Sequence, residues 1–176
     1  MYIATQPNML WRFNFDISDA HGNKVGAINW PDIAVATNSR AKDMYPENWT
    51  RHVDIVSAGH PFKVAFEYLN RAWNMDVRFT LLDGDHMIAS VDCCHAKTLF
   101  QRATMQVTAP FNGQIVHRRG LFAVRYDVLG DGRQIGRVYE KPGLVWRRKI
   151  FIDIDDSVDI PVQFFLFFLV CNYAFH

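Results

Sequence analysis

The sequence predicts a mainly β protein, an antiparallel barrel wrapped round one hydrophobic C-terminal helix. Three observations predict it. Apolar residues recur with a period of two along much of the chain. Glycine-containing turn signals separate those runs. The chain then ends in a segment that is apolar on every side. Alternation marks strands with one dry face and one wet face. Many such strands with frequent turns imply a sandwich or a barrel.

The strands can be justified in order. In 11–17, Trp11, Phe13, Phe15 and Ile17 alternate with Arg12, Asn14 and Asp16. In 62–68, Phe62, Val64, Phe66 and Tyr68 alternate with Lys63, Ala65 and Glu67. In 75–81, Met75, Val77, Phe79 and Leu81 share a face. In 121–128, Phe122, Val124, Tyr126 and Val128 do so. In 145–154, Trp146, Ile150, Ile152 and Ile154 share a face, and Arg148 breaks the pattern. A weaker run covers 98–108. Turn signals fall at 21–23, 83–85, 112–113 and 130–132.

An internal repeat joins some of these runs. FDISDAHGNKVGAI at 15–28 and YDVLGDGRQIGRV at 126–138 share a spacing. Gly22, Val25, Gly26 and Ile28 match Gly132, Ile135, Gly136 and Val138. LLDGDHMIASV at 81–91 is a looser copy, with Ala89 in place of the second glycine. Each copy reads as strand, tight turn and return strand. The first glycine supplies the turn dihedral, and the second marks a bulge or close packing. No helix pattern follows either turn, so these are not phosphate-binding loops.

From Pro161 to Phe175 the period changes, and only Gln163 and Asn172 are polar. Asp159 precedes Pro161, a helix-start arrangement. Fifteen helical residues span about 22 Å, short of the ~20 residues that a bilayer core requires. A helix apolar all round must be enclosed by protein or by lipid. Enclosure in the barrel also covers the dry face of the sheet; a short membrane anchor is the competing reading.

Composition narrows the function. The 176 residues suit one domain, 1–176, and 49% hydrophobic content suffices for a core. The net charge of +1 gives no basic excess, so no nucleic-acid partner is expected. No basic, apolar-followed leader opens the chain, so a cytoplasmic protein is expected. Cys93, Cys94 and Cys171 make a poor disulfide framework and read as three reduced thiols. No zinc spacing, Gly-x-Ser-x-Gly elbow or His-Glu-x-x-His occurs. No metal, no cofactor and no catalytic residue is therefore expected, and Cys94-His95 is a sequence neighbourhood only.

Two basic clusters stand out, Arg118-Arg119 and Arg147-Arg148-Lys149. One reading is contact with anionic lipid headgroups, worth about 1 kcal/mol per charge near the surface. On a strand, Arg147 and Lys149 would then face outward together. The other reading is a solvated strand that resists edge pairing. Asp153, Asp155, Asp156 and Asp159 read as a helix-capping turn, because no EF-hand glycine or closing glutamate is present.

Taken together, the strand–Asp-x-x-Gly-x-x-Val-Gly-x-Ile hairpin at Asp19, Gly22, Val25, Gly26 and Ile28 and the ending WRRKIFIDIDDSVDIPVQFFLFFLVCNYAF resemble the tubby C-terminal-like superfamily. The similarity is to its phospholipid scramblase-like and LURP-one-related branch, and it runs over roughly 10–176. It implies a closed barrel of about twelve strands, with 161–175 as the central helix. It also implies a non-enzymatic, monomeric barrel, cytoplasmic or peripheral to a membrane, that binds anionic membrane lipid or phosphoinositide. Scramblases carry an acidic calcium-responsive segment where this chain has Asp153–Asp159. The Pro-rich tail and palmitoylation-type cysteine cluster of many scramblases are missing, and the tubby phosphoinositide residues have no matching motif. The candidate lipid contacts are Arg147, Lys149, Arg118 and Arg119. A protein-interaction or structural module without a small-molecule ligand is the alternative.

Overall fold

A computed structural model of the chain describes residues 1–6, 14–29, 53–70, 76–94, 104–118, 124–141 and 148–174. The expected Trp11, Phe13, Met75, Phe122, Trp146, Arg119, Arg147 and Phe175, and the run 98–103, lie outside the described residues.

Twelve strands form one closed antiparallel barrel. They are β1 (Tyr2–Thr5), β2 (Phe15–Ser18), β3 (Lys24–Asn29), β4 (Val53–Ser57), β5 (His60–Tyr68) and β6 (Val77–Asp83), then β7 (His86–Cys94), β8 (Thr104–Ala109), β9 (Gly113–His117), β10 (Arg125–Gly130), β11 (Arg133–Glu140) and β12 (Lys149–Ile154). Each strand pairs with its sequence neighbours, and β1 closes the ring by pairing with β12, Tyr2 opposite Ile152 and Thr5 opposite Lys149. Closure leaves no edge to protect. A helix follows over Ile160–Ala174, one residue earlier than the sequence suggests.

Alternation decides which side chains enter the lumen. Ile150, Ile152 and Ile154 on β12, Tyr126 and Val128 on β10, and Ala89, Val91 and Cys93 on β7 are buried. The outward positions carry Asp54, Lys63, Arg78, Asp92 and Arg137, a charged exterior. This is the reverse of the apolar-out pattern of transmembrane barrels. No described helix is long and apolar enough to cross a membrane.

The C-terminal helix fills the lumen. From Val162 to Cys171 every residue is at most 2% exposed, Gln163 included. Rings on well-separated strands reach it. Tyr2 on β1 meets Phe164 edge-on at 5.4 Å, Phe15 on β2 meets Phe167 at 5.1 Å, and Phe79 on β6 meets Phe168 at 6.1 Å. β1 and β6 lie far apart round the ring, so the helix touches the barrel on more than one side. Each fully buried Phe or Leu stabilises by about 1.5–3 kcal/mol. The helix starts where the Asp159 carbonyl accepts the Gln163 N–H at 3.0 Å. Gln163 also donates through Nε2 to the Val158 carbonyl at 2.8 Å, tying the helix to its preceding turn.

The sequence repeat has a structural counterpart. β2–β3, β6–β7 and β10–β11 each contain a register shift, immediately after the pairs Ile17–Gly26, Leu81–Ala89 and Val128–Gly136. The second glycine, or its alanine substitute, is therefore the last residue in register before a bulge. Packing explains its small size. A Cβ on Gly26 would meet the Val56 carbonyl oxygen and the Phe164 ring, and one on Gly136 would meet the β12 backbone at Ile154. The turns are tight as well. Asp131 and Gly132 have φ of 50° and 80°, both left-handed as a type I′ hairpin requires. Ala58 and Gly59 repeat this at 49° and 81° between β4 and β5, a hairpin the turn signals do not mark.

Cys93, Cys94 and Cys171 form no disulfide among the described residues. Burial pushes the Cys93 thiol from 9.0 up to about 12, and it raises the fully enclosed Cys171 thiol as well. A raised folded-state value means that the native state holds its proton longer than the unfolded chain. The Cys93 contribution is thus complete below pH 9.0 and is lost as pH rises toward about 12. Urea unfolding across this window should show stability falling, and Cys93→Ala should show a smaller fall than wild type.

Two substitutions test the packing. Phe165→Asp should remove the cooperative unfolding transition, because an unpaired buried charge costs about 3–5 kcal/mol against a total stability of about 5–15 kcal/mol. Gly26→Ala should keep the fold and lose about 1–3 kcal/mol, the usual cost of overpacking, as read by chemical denaturation.

Candidate functional site

With the lumen filled, binding surfaces must lie outside. The two ends of the barrel differ. Connections at one end span two to five residues, and those at the other span seven or more. The short-turn end is acidic, carrying Asp19, Asp83, Asp85, Asp131, Asp155, Asp156 and Asp159 with Arg133 and Lys24 among them. Lys24 is ion-paired with Asp16. Asp19 accepts hydrogen bonds from the Asn23 side chain and from the backbone N–H groups of Asn23 and His21, which holds its carboxyl below the usual range. Asp155 is lowered in the same way by the Ser157 N–H. Both carboxylates serve their own turns, and the Asp155 contact is to Ser157, ahead of the helix, not to a helix N–H. Asp153 instead pairs with Arg137 on the barrel wall. Among the described residues no group of three or more His, Cys, Asp or Glu side chains is arranged to hold a metal. A shallow open depression of about 660 Å³ lies beside this end, lined by Met1, Gln134, Arg137, Asp153, Asp155 and Asp156 among others.

At the opposite end the wall from β9 to β12 is cationic. Lys149 is exposed at the start of β12, and alternation points it outward with Phe151. Glu140, the last residue of β11, opposes Ile150, so Lys141 and Lys149 flank that pair where the β11–β12 ladder ends. Tyr126 opposes His117, and one step on the Arg118 N–H donates to the Arg125 carbonyl at 2.8 Å, placing those two arginines side by side. A cross-strand arginine pair and two lysines at the end of the β11–β12 ladder thus sit on one wall. Such pairs destabilise a sheet unless something neutralises them.

Aromatic rings lie between the pairs. Tyr139 and Phe151 stack with centroids 5.2 Å apart and planes 17° apart. The Arg137 guanidinium carbon lies 5.0 Å from the Tyr139 centroid, and Lys141 Nζ lies 4.6 Å from that of Phe151. Stacking of this kind stiffens long cationic side chains against a flat platform. Carboxylates offset only part of the charge. Asp153 accepts two hydrogen bonds from Arg137 at 3.2 Å, and Asp127 accepts one from Arg118 at 2.6 Å. Among the described residues Arg125, Lys141 and Lys149 have no carboxylate partner.

The structure brings Lys149 and Arg118 to the same end of the same wall, with Arg125 and Lys141 between them. Arg147 and Arg119 lie outside the described residues. Arg148, the misfit of its strand pattern, falls on the lumen side, where Nε donates to Glu140 at 2.9 Å. It lies near enough to the end of the helix to favour the Cys171 thiolate, an effect smaller than that of burial. Sequence reasoning missed Arg125, Lys141, Tyr139 and Phe151. Arg125 and Lys141 are isolated in the chain, and only strand register gathers them.

Compared with known proteins, the chain matches no family model, no curated protein and no solved structure.

Proposed function

We propose that this barrel is a non-enzymatic module that binds anionic lipid headgroups, phosphoinositides included, on a membrane surface. The observation that carries the reading is the β9–β12 wall: the cross-strand arginine pair Arg118/Arg125 and the lysines Lys141 and Lys149 at the end of the β11–β12 ladder, flanking the stacked Tyr139–Phe151 platform. A wall of this kind is relieved by an anion, and each surface cation near an anionic leaflet contributes about 1 kcal/mol. Aromatic rings with a polar edge suit the headgroup layer. The acidic turn end would be repelled by the same surface, so the field orients the barrel during approach. The resemblance of the hairpin repeat and the C-terminal segment to the scramblase-like branch supports the same class of ligand. The reading also implies a monomeric protein peripheral to the cytoplasmic face of a membrane.

The Lys141→Glu/Lys149→Glu double variant should lose binding to phosphatidylserine vesicles in co-sedimentation. Its melting temperature should stay close to that of wild type, because exposed charges contribute little to stability. Wild-type binding should weaken as salt rises and the Debye length shrinks from about 10 Å at 0.1 M to about 3 Å at 1 M. Equal pelleting of both proteins, or no pelleting of wild type with vesicles of phosphatidylserine or of any phosphoinositide, would replace this reading with that of a protein-interaction module.

A further inference from the structure

We propose that Arg118 is the residue that grips the phosphoryl oxygens of the headgroup, and that Asp127 is the positioning residue that aims it. The inference rests on the lipid-binding reading above and adds to it the group that would provide geometric recognition. Its basis is how the two side chains are held. The Arg118 Nε–H donates to Asp127 Oδ2 at 2.6 Å, and among the described residues no other hydrogen bond involves this guanidinium. The two Nη groups are left over, on a side chain that is 53% exposed. Asp127 is only 5% exposed although alternation directs it to the outer face, and among the described residues its Oδ1 has no hydrogen-bond partner.

Stability alone accounts poorly for this arrangement. Burying a carboxylate with one oxygen unsatisfied is unfavourable, and one hydrogen bond from a half-exposed arginine offsets only part of it, because Arg137, directly opposite on β11, hydrogen-bonds Asp153 instead. Recognition accounts for it better. A guanidinium held through Nε keeps its Nη edge for an oxyanion and has already lost much of its rotamer freedom. Arg125 stands directly across the strand pair, so an anion between the two cations would neutralise both. A phosphoryl group fits, because two of its oxygens can accept the paired N–H donors of arginine. Lys149 and Lys141, flexible point charges, would add attraction without that geometry.

The test separates positioning from simple charge. If the wall acts only through its field, Asp127→Leu removes a negative charge and binding to anionic vesicles strengthens, while Arg118→Lys changes nothing. If Asp127 aims Arg118, both variants weaken binding to phosphatidylinositol-phosphate vesicles by about tenfold, the worth of one charge-assisted hydrogen bond. Asp127→Asn, which keeps an acceptor for Nε–H, should retain most of the affinity. Nuclear magnetic resonance gives a second reading that needs no lipid. Inorganic phosphate should shift the Arg118 Nε–H resonance of the wild-type protein, and chloride at equal ionic strength should not. Wild type and Arg118→Lys binding the vesicles equally overturns this inference and leaves the lipid reading standing. A phosphate shift without wild-type binding to any anionic vesicle overturns the headgroup as the source of the anion and the lipid reading with it. A resonance unmoved by phosphate, whatever the vesicles show, overturns the role of Arg118.

Discussion

The structure depends on one constraint: a helix that is apolar on every face has to be enclosed. From Val162 to Cys171 no face offers water a polar surface, and Gln163 turns its amide back to the preceding turn. A two-layer packing would leave half of such a helix exposed. A closed ring of strands covers all of it, and the helix in turn supplies the dry interior that the strands require. Closure explains why β1 is needed although it is only four residues long. Without its pairing to both β12 and β2, the ring would open beside Phe164 and Phe167. The glycine repeat belongs to the same constraint. Gly26 is small because Phe164 and the next strand press on it, and the bulges after the second glycine re-aim the strands as they curve round the helix.

Much of this was legible in the chain because periodicity reports directly on burial. The alternation on β5, β6, β10 and β12 and the unbroken apolarity after Asp159 predict a barrel round a helix, and both occur. Other features were not legible, for definite reasons. Tyr2–Thr5 is too short to show a period. The Ala58-Gly59 hairpin places alanine in a left-handed conformation, so its turn signal is weak. Arg148 looks like an error in an inward row until Glu140 is seen beside it at the mouth of the barrel. That pair is partly exposed and hydrogen-bonded, so an inward charge is tolerated there.

The cationic wall shows the limit of reading a chain in one dimension. Charge clusters along the sequence drew attention to 118–119 and 147–149, and two of those residues, Arg118 and Lys149, do share a wall. What joins them is register. Arg125 and Lys141 are single charges in sequence, and Tyr139 and Phe151 read as ordinary alternation. Pairing across β10, β11 and β12 sets them side by side. Alternation puts Asp127 on the outward face, yet it is buried beneath an arginine. The near-neutral overall charge of +1 gives no sign of this division between an acidic turn end and a basic wall.

The most direct test of the enclosed helix is native-state hydrogen exchange resolved by residue. The amides of 164–171 should be protected as strongly as those of the β11–β12 ladder, and both should exchange only through global unfolding, with the same denaturant dependence. Exchange of the helix at a lower free energy than the ladder would mean that the helix leaves an intact barrel, and the claim that the two are one core would be wrong.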